Sequence, residues 1–192
     1  MSTNGSWAWI VSGMLALVAC GGRDASRNER DKFLSGTGRV NGTANGEDFT
    51  FKATEVLATL DGSAGDDTRQ LTVMLCDQTC DRLGLTLAPG SRAIALVVNA
   101  RDDALRAGGV FAVGQGANAL AARRGPDSVD DASDRATQVE TASNGQITLL
   151  PSPLSAGQPL RGSFDLGLHR GGATLGSFDA PLATATRAPL TH

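Results

Sequence analysis

The sequence predicts an all-β domain: an antiparallel β-sandwich, or alternatively a closed barrel, with one or two short helical turns. Three observations carry that expectation. Apolar side chains recur in short runs of period two, as at residues 70–76, where Leu71, Val73 and Leu75 alternate with Thr72 and Met74. Gly, Asn, Asp and Pro punctuate the chain between those runs, and no stretch keeps a long helical period. A Gly-Ser-Phe-Asp element at 162–165 returns at 176–179, on either side of Arg170-Gly171-Gly172, which spells a hairpin. The domain is expected over residues 36–182, with a tail at 183–192.

The chain opens differently. Residues 7–19 hold Trp7, Ala8, Trp9, Ile10, Val11, Met14, Leu15, Ala16, Leu17, Val18 and Ala19, interrupted only by Ser12 and Gly13. A helix needs about 20 apolar residues to span a bilayer core, and this run is shorter. Its length suits the centre of a secretory signal peptide, roughly 7–15 residues closing on small side chains. Residues 1–6 lack Lys and Arg, so the α-amino group is the only positive charge there.

Leu17-Val18-Ala19-Cys20 resembles the lipobox of bacterial lipoproteins, in which a small apolar side chain precedes the cysteine that becomes the mature N-terminus. The resemblance implies a signal peptide at 1–19, cleavage between Ala19 and Cys20, and a diacylglycerol on the Cys20 thiol. Membrane lipid would then be the partner, through acyl chains such as palmitate. One chain anchors only marginally, whereas two or three hold stably, because each buried methylene adds about 0.8 kcal/mol. Gly21 stands where an aspartate resembles an inner-membrane retention signal, which implies an outer-membrane lipoprotein, periplasm-facing or at the surface.

Residues 21–35 (GGRDASRNERDKFLS) mix charges of both signs with Gly, Ser and Asn and show no apolar period. They are expected to be a tether reaching roughly 20 Å from the membrane, with room for a short helix at 28–34. All 17 basic and 20 acidic residues follow Cys20, so the mature chain keeps the net charge of −3. That balance gives no electrostatic reason to bind nucleic acid. Both tryptophans lie before Cys20 and the chain has no tyrosine. The aromatics that remain are Phe33, Phe49, Phe51, Phe111, Phe164 and Phe178. Sugar-stacking platforms and interface hot spots lean on Trp and Tyr, so both lose weight.

From Gly36 the punctuation becomes that of a β-protein. Asn45-Gly46 is a hairpin-turn signal, and Phe49 and Phe51 fall on one face of a strand with Thr50 and Lys52 on the other. Gly36-Thr37-Gly38 lacks the spacing and flanking elements of a nucleotide loop. After a loop at 61–67 comes the strand at 70–76, ending in Cys76-Asp77-Gln78-Thr79-Cys80. In an exported chain Cys76 and Cys80 most simply form a local disulfide across a tight turn, with free thiols the alternative. A zinc pair would need two further ligands, and the chain offers only His169 and His192 besides. A redox pair has two intervening residues, not three.

Strands are expected at 83–87 and 93–98, split by the turn at 88–91, the second with both faces apolar and therefore central. Residues 99–107 read as a helical segment with Asn99 as N-cap and Asp102 and Asp103 in its first turn, ended by Gly108-Gly109. Residues 110–113 make a short strand, and 119–124 a helical turn. The acidic run at 127–134, with Asp127, Asp130, Asp131 and Asp134, is the best metal candidate, though it lacks the spacing of a calcium loop and reads as a solvated loop.

The last third carries a strand at 145–150 and then the hairpin. With a loop at 170–172, Phe164 would face Phe178 across the strands, and Phe164, Leu166 and Leu168 would line the core. Pro181 suggests an edge strand, and Pro189 a frayed tail. The glycine-rich Gly38-Arg39-Val40-Asn41-Gly42 opening, the cysteine loop and the closing Gly176-Ser177-Phe178-Asp179-Ala180 resemble uncharacterised β-rich lipoproteins of myxobacterial type. That resemblance implies no activity. Those proteins often end the last motif in a cysteine, and Leu182-Ala183-Thr184 here implies pairing of Cys76 with Cys80 instead.

A hydrolase triad needs a nucleophile, a base and an orienting acid. His169 is the only internal histidine, it sits on the hairpin turn, and no G-x-S-x-G occurs. The expectation is a lipid-anchored cell-envelope protein that is not an enzyme, with a structural or binding role, no cofactor, and a protein or small-molecule partner. The alternative is an envelope enzyme of the hydrolase kind, using His169 or a metal in the acidic loop.

Overall fold

Alternation of apolar and polar side chains builds almost every element. The computed structural model describes residues 36–62, 68–78, 87–125 and 137–184. These hold the strands β1 (Thr37–Ala44), β2 (Glu47–Asp48), β3 (Phe51–Ala53), β4 (Glu55–Asp61), β5 (Arg69–Cys76) and β6 (Arg92–Ala100). A helix α1 (Asp102–Ala107) follows, then β7 (Gly109–Ala112), β8 (Ala117–Arg124), β9 (Thr137–Leu149), β10 (Pro159–Leu168) and β11 (Ala173–Thr184). The all-β class read from the sequence is the class observed.

The strand pairings close on themselves. β9, β10, β11, β4, β5, β6 and β8 are each bonded to the next, and β8 returns to β9. Every pair in this circuit is antiparallel except β11 with β4. One layer comprises β7, β9, β10, β11, β1 and the β2–β3 edge, and the other comprises β4, β5, β6 and β8. β9 and β11 belong to both, so the two layers are joined at both sides. Val40, Phe49, Val56, Leu71, Leu75, Ile94, Leu96, Ile147, Leu160, Phe164, Leu166 and Phe178 meet in one buried core between them. Apolar burial of this kind contributes roughly 25 cal/mol per Å² and is the main force holding the layers together.

The Asn45-Gly46 turn forms as its sequence demands. Both residues take positive φ, 52° and 77°, and join β1 to β2, the backbone twist that a two-residue hairpin favours. Phe49 and Phe51 are buried and Thr50 and Lys52 exposed, as expected, and the two rings meet edge to face at 5.4 Å. β6, read as central, lies between β5 and β8. Leu87 belongs to a smaller apolar cluster with Cys76, Ala93 and Ala122, outside the main core.

Four local expectations are corrected. Residues 119–124 are not a helical turn but the body of β8, where Ala119 and Ala121 point into the core. Alanine favours helix, but pairing with β6 and β9 on both sides overrides that weak preference. Asn99 does not cap α1. It stays in β6, its N–H donating to the Gly116 carbonyl at 2.6 Å, and Arg101 takes the cap position. Asp102 and Asp103 do occupy the first turn, and Gly108 ends the helix.

Phe164 does not face Phe178. The hairpin loop is centred one residue earlier than expected, so Ser163 opposes Ser177, Phe164 opposes Gly176 and Phe178 opposes Gly162. Opposing positions change by two residues, so the faces are kept and Phe164, Leu166 and Leu168 still point inward. Finally, Pro181 does not mark an edge strand, because β11 is bonded to β10, β1 and β4. β1 lets go after Asp179 and β4 begins at Leu182, while the Leu182 N–H turns to the other side, toward Gln158. The missing N–H of Pro181 therefore falls in the gap between two partners, where no ladder bond is lost.

Candidate functional site

The residues predicted to carry chemistry fall in different places. Ala19 and Cys20, Cys80, and the acidic run at 127–134 all lie outside the described residues. Cys76 ends β5, is 1 % exposed and is not a free thiol. His169 stands exposed on the β10–β11 turn, its backbone N–H donating to the Thr141 carbonyl at 3.0 Å. Among the described residues no group of three or more His, Cys, Asp or Glu is placed to hold a metal ion.

Next to that turn lies a carboxylate that sequence reading passed over. Glu140 projects from β9 and is only 2 % exposed. Its Oε2 accepts the Asn45 N–H at 2.6 Å and its Oε1 accepts the Arg170 N–H at 2.5 Å. The Arg170 guanidinium closes the set by donating to Asn45 Oδ1 at 2.9 Å. Two hairpin turns far apart in sequence are thus tied through one side chain. Acceptor-only oxygens each meeting an N–H explain how a carboxylate is tolerated there. Nothing in the Thr137-Gln138-Val139-Glu140 pattern announces this, since Glu140 reads as one more polar strand residue.

A second charged group ties α1 to the sheet. Asp102 Oδ1 accepts from Arg69 Nη1 and Oδ2 from Arg106 Nε, both at 2.6 Å. Arg106 also donates to the Pro153 carbonyl. The Arg106 hydrogen bond first, then that of Arg69, holds the Asp102 carboxyl below the usual carboxylate range, against a smaller opposing effect of burial. In both clusters each carboxylate oxygen meets a protein donor, so both act as fasteners between elements.

Among the described residues, a surface depression lies on the outer face of the layer that contains β9, β10 and β11. Thr148, Leu150, Arg161, Gly162, Ser163 and Phe178 line a shallow, open groove of about 260 Å³. Thr148, Leu150, Arg161 and Ser163 present side chains on this face, whereas the side-chain position of Gly162 is on the core side, under the Phe178 ring. Arg161 is held by Asp179, Nε to Oδ2 at 2.7 Å, so the rim has no unpaired charge. Leu150 at the rim is 52 % exposed, and Val110 on the neighbouring β7 is 62 % exposed. Ligand pockets usually run from about 300 to 1,000 Å³ and enclose their ligand. This groove is smaller than that and open, so it does not enclose a ligand. In comparisons with known proteins, no protein family, curated protein or solved structure matches this chain.

Proposed function

We propose that this is a lipid-anchored protein of a bacterial cell envelope with a structural or binding role and no catalytic one. The observation that carries the reading is Leu17-Val18-Ala19-Cys20 closing a short apolar run, with β1 starting only at Thr37. That leaves residues 20–35 as a spacer between an acylated Cys20 and the folded domain. The likeness to β-rich lipoproteins of myxobacterial type belongs to the same reading, as does an outer-membrane location. Mass spectrometry of the mature N-terminus tests it. A cleaved chain starting at a lipid-modified Cys20 is expected, and a chain starting elsewhere or bearing an unmodified Cys20 overturns the proposal.

Within that reading Cys76 pairs with Cys80. Cys76 is buried and not free, and Cys20 is needed for lipid. Alkylation of the mature chain without reductant should leave Cys76 and Cys80 unlabelled. Labelling of either before reduction overturns the pairing.

A further inference from the structure

β7 leaves one edge of its layer open. It pairs antiparallel with β9, and among the described residues it pairs with no other strand. Next to it, the Val113 N–H donates to the Gly145 carbonyl at 3.0 Å. Backbone groups alternate sides along a strand, so Gly109, Phe111 and Val113 turn theirs to β9, and Val110 and Ala112 turn theirs outward. The Gly108 carbonyl, across a trans peptide from the Gly109 N–H, also leaves on the outer side. Two groups on this edge are engaged. The Gly108 N–H donates to the Leu105 carbonyl at 3.3 Å, and the Ala112 carbonyl accepts the Gln115 N–H at 3.0 Å. The Gly108 carbonyl, the Val110 N–H and carbonyl, and the Ala112 N–H have no partner among the described residues. Val110 is 62 % exposed, and residues 109–113 carry no charge. The opposite edge of the layer is blunted instead: Thr50 donates to Asp48 and accepts from Arg92, and Lys52 follows on β3.

We infer that β7 pairs antiparallel with β7 of a second copy, about a two-fold axis at Val110. An open strand edge takes an extended chain through main-chain hydrogen bonds, and a two-fold contact needs a surface that complements itself. This edge does. With Val110 opposite Val110, each Val110 N–H donates to the other copy's Val110 carbonyl. Each Ala112 N–H donates to the other copy's Gly108 carbonyl. The two engaged groups, the Gly108 N–H and the Ala112 carbonyl, fall opposite one another, so every open group is matched and no engaged group is needed. A shift of two residues sets a Val110 N–H against the engaged Ala112 carbonyl and loses the match. On the outer face the pairing adds a β-branched cross-strand contact of Val110 with Val110, and no charge on β7 opposes the approach. So short an edge is small against the roughly 1,000 Å² of a stable interface, which makes this a weak dimer that dissociates on dilution. The pairing does not depend on the lipid anchor.

Sedimentation equilibrium of the full chain, from about 1 mM to about 10 µM, tests it. The mass should rise from one copy to two with concentration and stop there, because a two-fold contact closes. Val110→Lys sets two like charges on the axis and should hold the chain as a monomer throughout. Leu175→Lys, at a site 55 % exposed on the same outer face but away from β7, should dimerise like the parent. Should Val110→Lys fail to fold, a milder pair of variants decides. Hydrogen-bonded antiparallel partners stand about 5.5 Å apart at Cα, within disulfide reach. Oxidation of Val110→Cys should therefore yield a covalent dimer well beyond the parent's, and Leu175→Cys should not. A monomer at every concentration overturns the inference and leaves the edge to a strand of another protein or to none. A mass that climbs past two copies, a dimer that survives Val110→Lys, or one that both lysines abolish also overturns it.

Discussion

The Phe178 ring lies over Gly162 of the facing strand, its Cζ 2.6 Å from the point where a β-carbon would stand. Phe164 stands in the same relation to Gly176, and Ser163 opposes Ser177 between them. The repeated Gly-Ser-Phe-Asp is therefore a reciprocal lock, each phenylalanine covering the glycine of the other copy. Ring-on-glycine packing of this kind also shields a backbone that lacks its own side chain.

It follows that either glycine should resist even one methyl group. Gly162→Ala would also press on the Thr148 carbonyl, 2.5 Å from the added atom. Overpacking of a filled core costs typically 1–3 kcal/mol. Urea denaturation of Gly162→Ala and Gly176→Ala should show losses of about that size, with an unchanged slope. Ser163→Ala, between them but exposed, should stay within about 0.5 kcal/mol of the parent.

Glu140 gives a prediction of direction and place. In Glu140→Gln an NH2 group must face one of two N–H donors, so one buried donor loses its acceptor, at a cost of about 1–3 kcal/mol. Amide hydrogen exchange should accelerate at Asn45 or Arg170, depending on which way the amide turns. Protection throughout β5 and β6, which do not touch this cluster, should fall only by the global loss of stability.

Asp102 sets a pH dependence. Its folded carboxyl titrates below the ordinary value of about 3.9, so the folded state binds this proton less readily than the unfolded chain does. The stabilisation is fully present above that ordinary value and is lost as pH falls from about 4 through the folded pKa. Denaturant midpoints measured down this acid range should fall more steeply for the parent than for Asp102→Asn. Equal slopes would mean that Arg69 and Arg106 do not shift the group.

Pro181→Ala tests the gap in β11. A proline inside a central strand would normally cost a ladder bond, and replacing it would then stabilise the sheet. Here the new N–H would point between the end of β1 and the start of β4, where neither strand supplies a ladder partner. The change should therefore be neutral or mildly destabilising, by about 0.4–1 kcal/mol, through greater freedom of the unfolded chain. A gain in thermal midpoint would contradict this placement.

Much of the fold was legible because strand periodicity and turn chemistry are local. Leu71, Val73 and Leu75 name their face by alternation, Asn45-Gly46 names its turn, and Gly108 stops α1. The errors arose where a partner distant in sequence decides. Ala119 to Arg124 became a strand because β6 and β9 flank it, and Asn99 stayed extended because Gly116 holds it. Phe178 met Gly162 because ring volume and loop closure together chose a register that the repeat alone left open.

The same division runs through the site. By itself the sequence determined the likeness of Leu17-Val18-Ala19-Cys20 to a lipobox, the lack of tryptophan and tyrosine after Cys20, and the alternating pattern that makes an all-β domain, since each depends only on residue type and spacing. The tertiary structure alone decided that Glu140 ties Asn45 to Arg170, that Arg69 and Arg106 share Asp102, and that the Phe178 and Phe164 rings cover Gly162 and Gly176. Burial and cross-strand register bring those groups together, and neither is written in the neighbours along the chain.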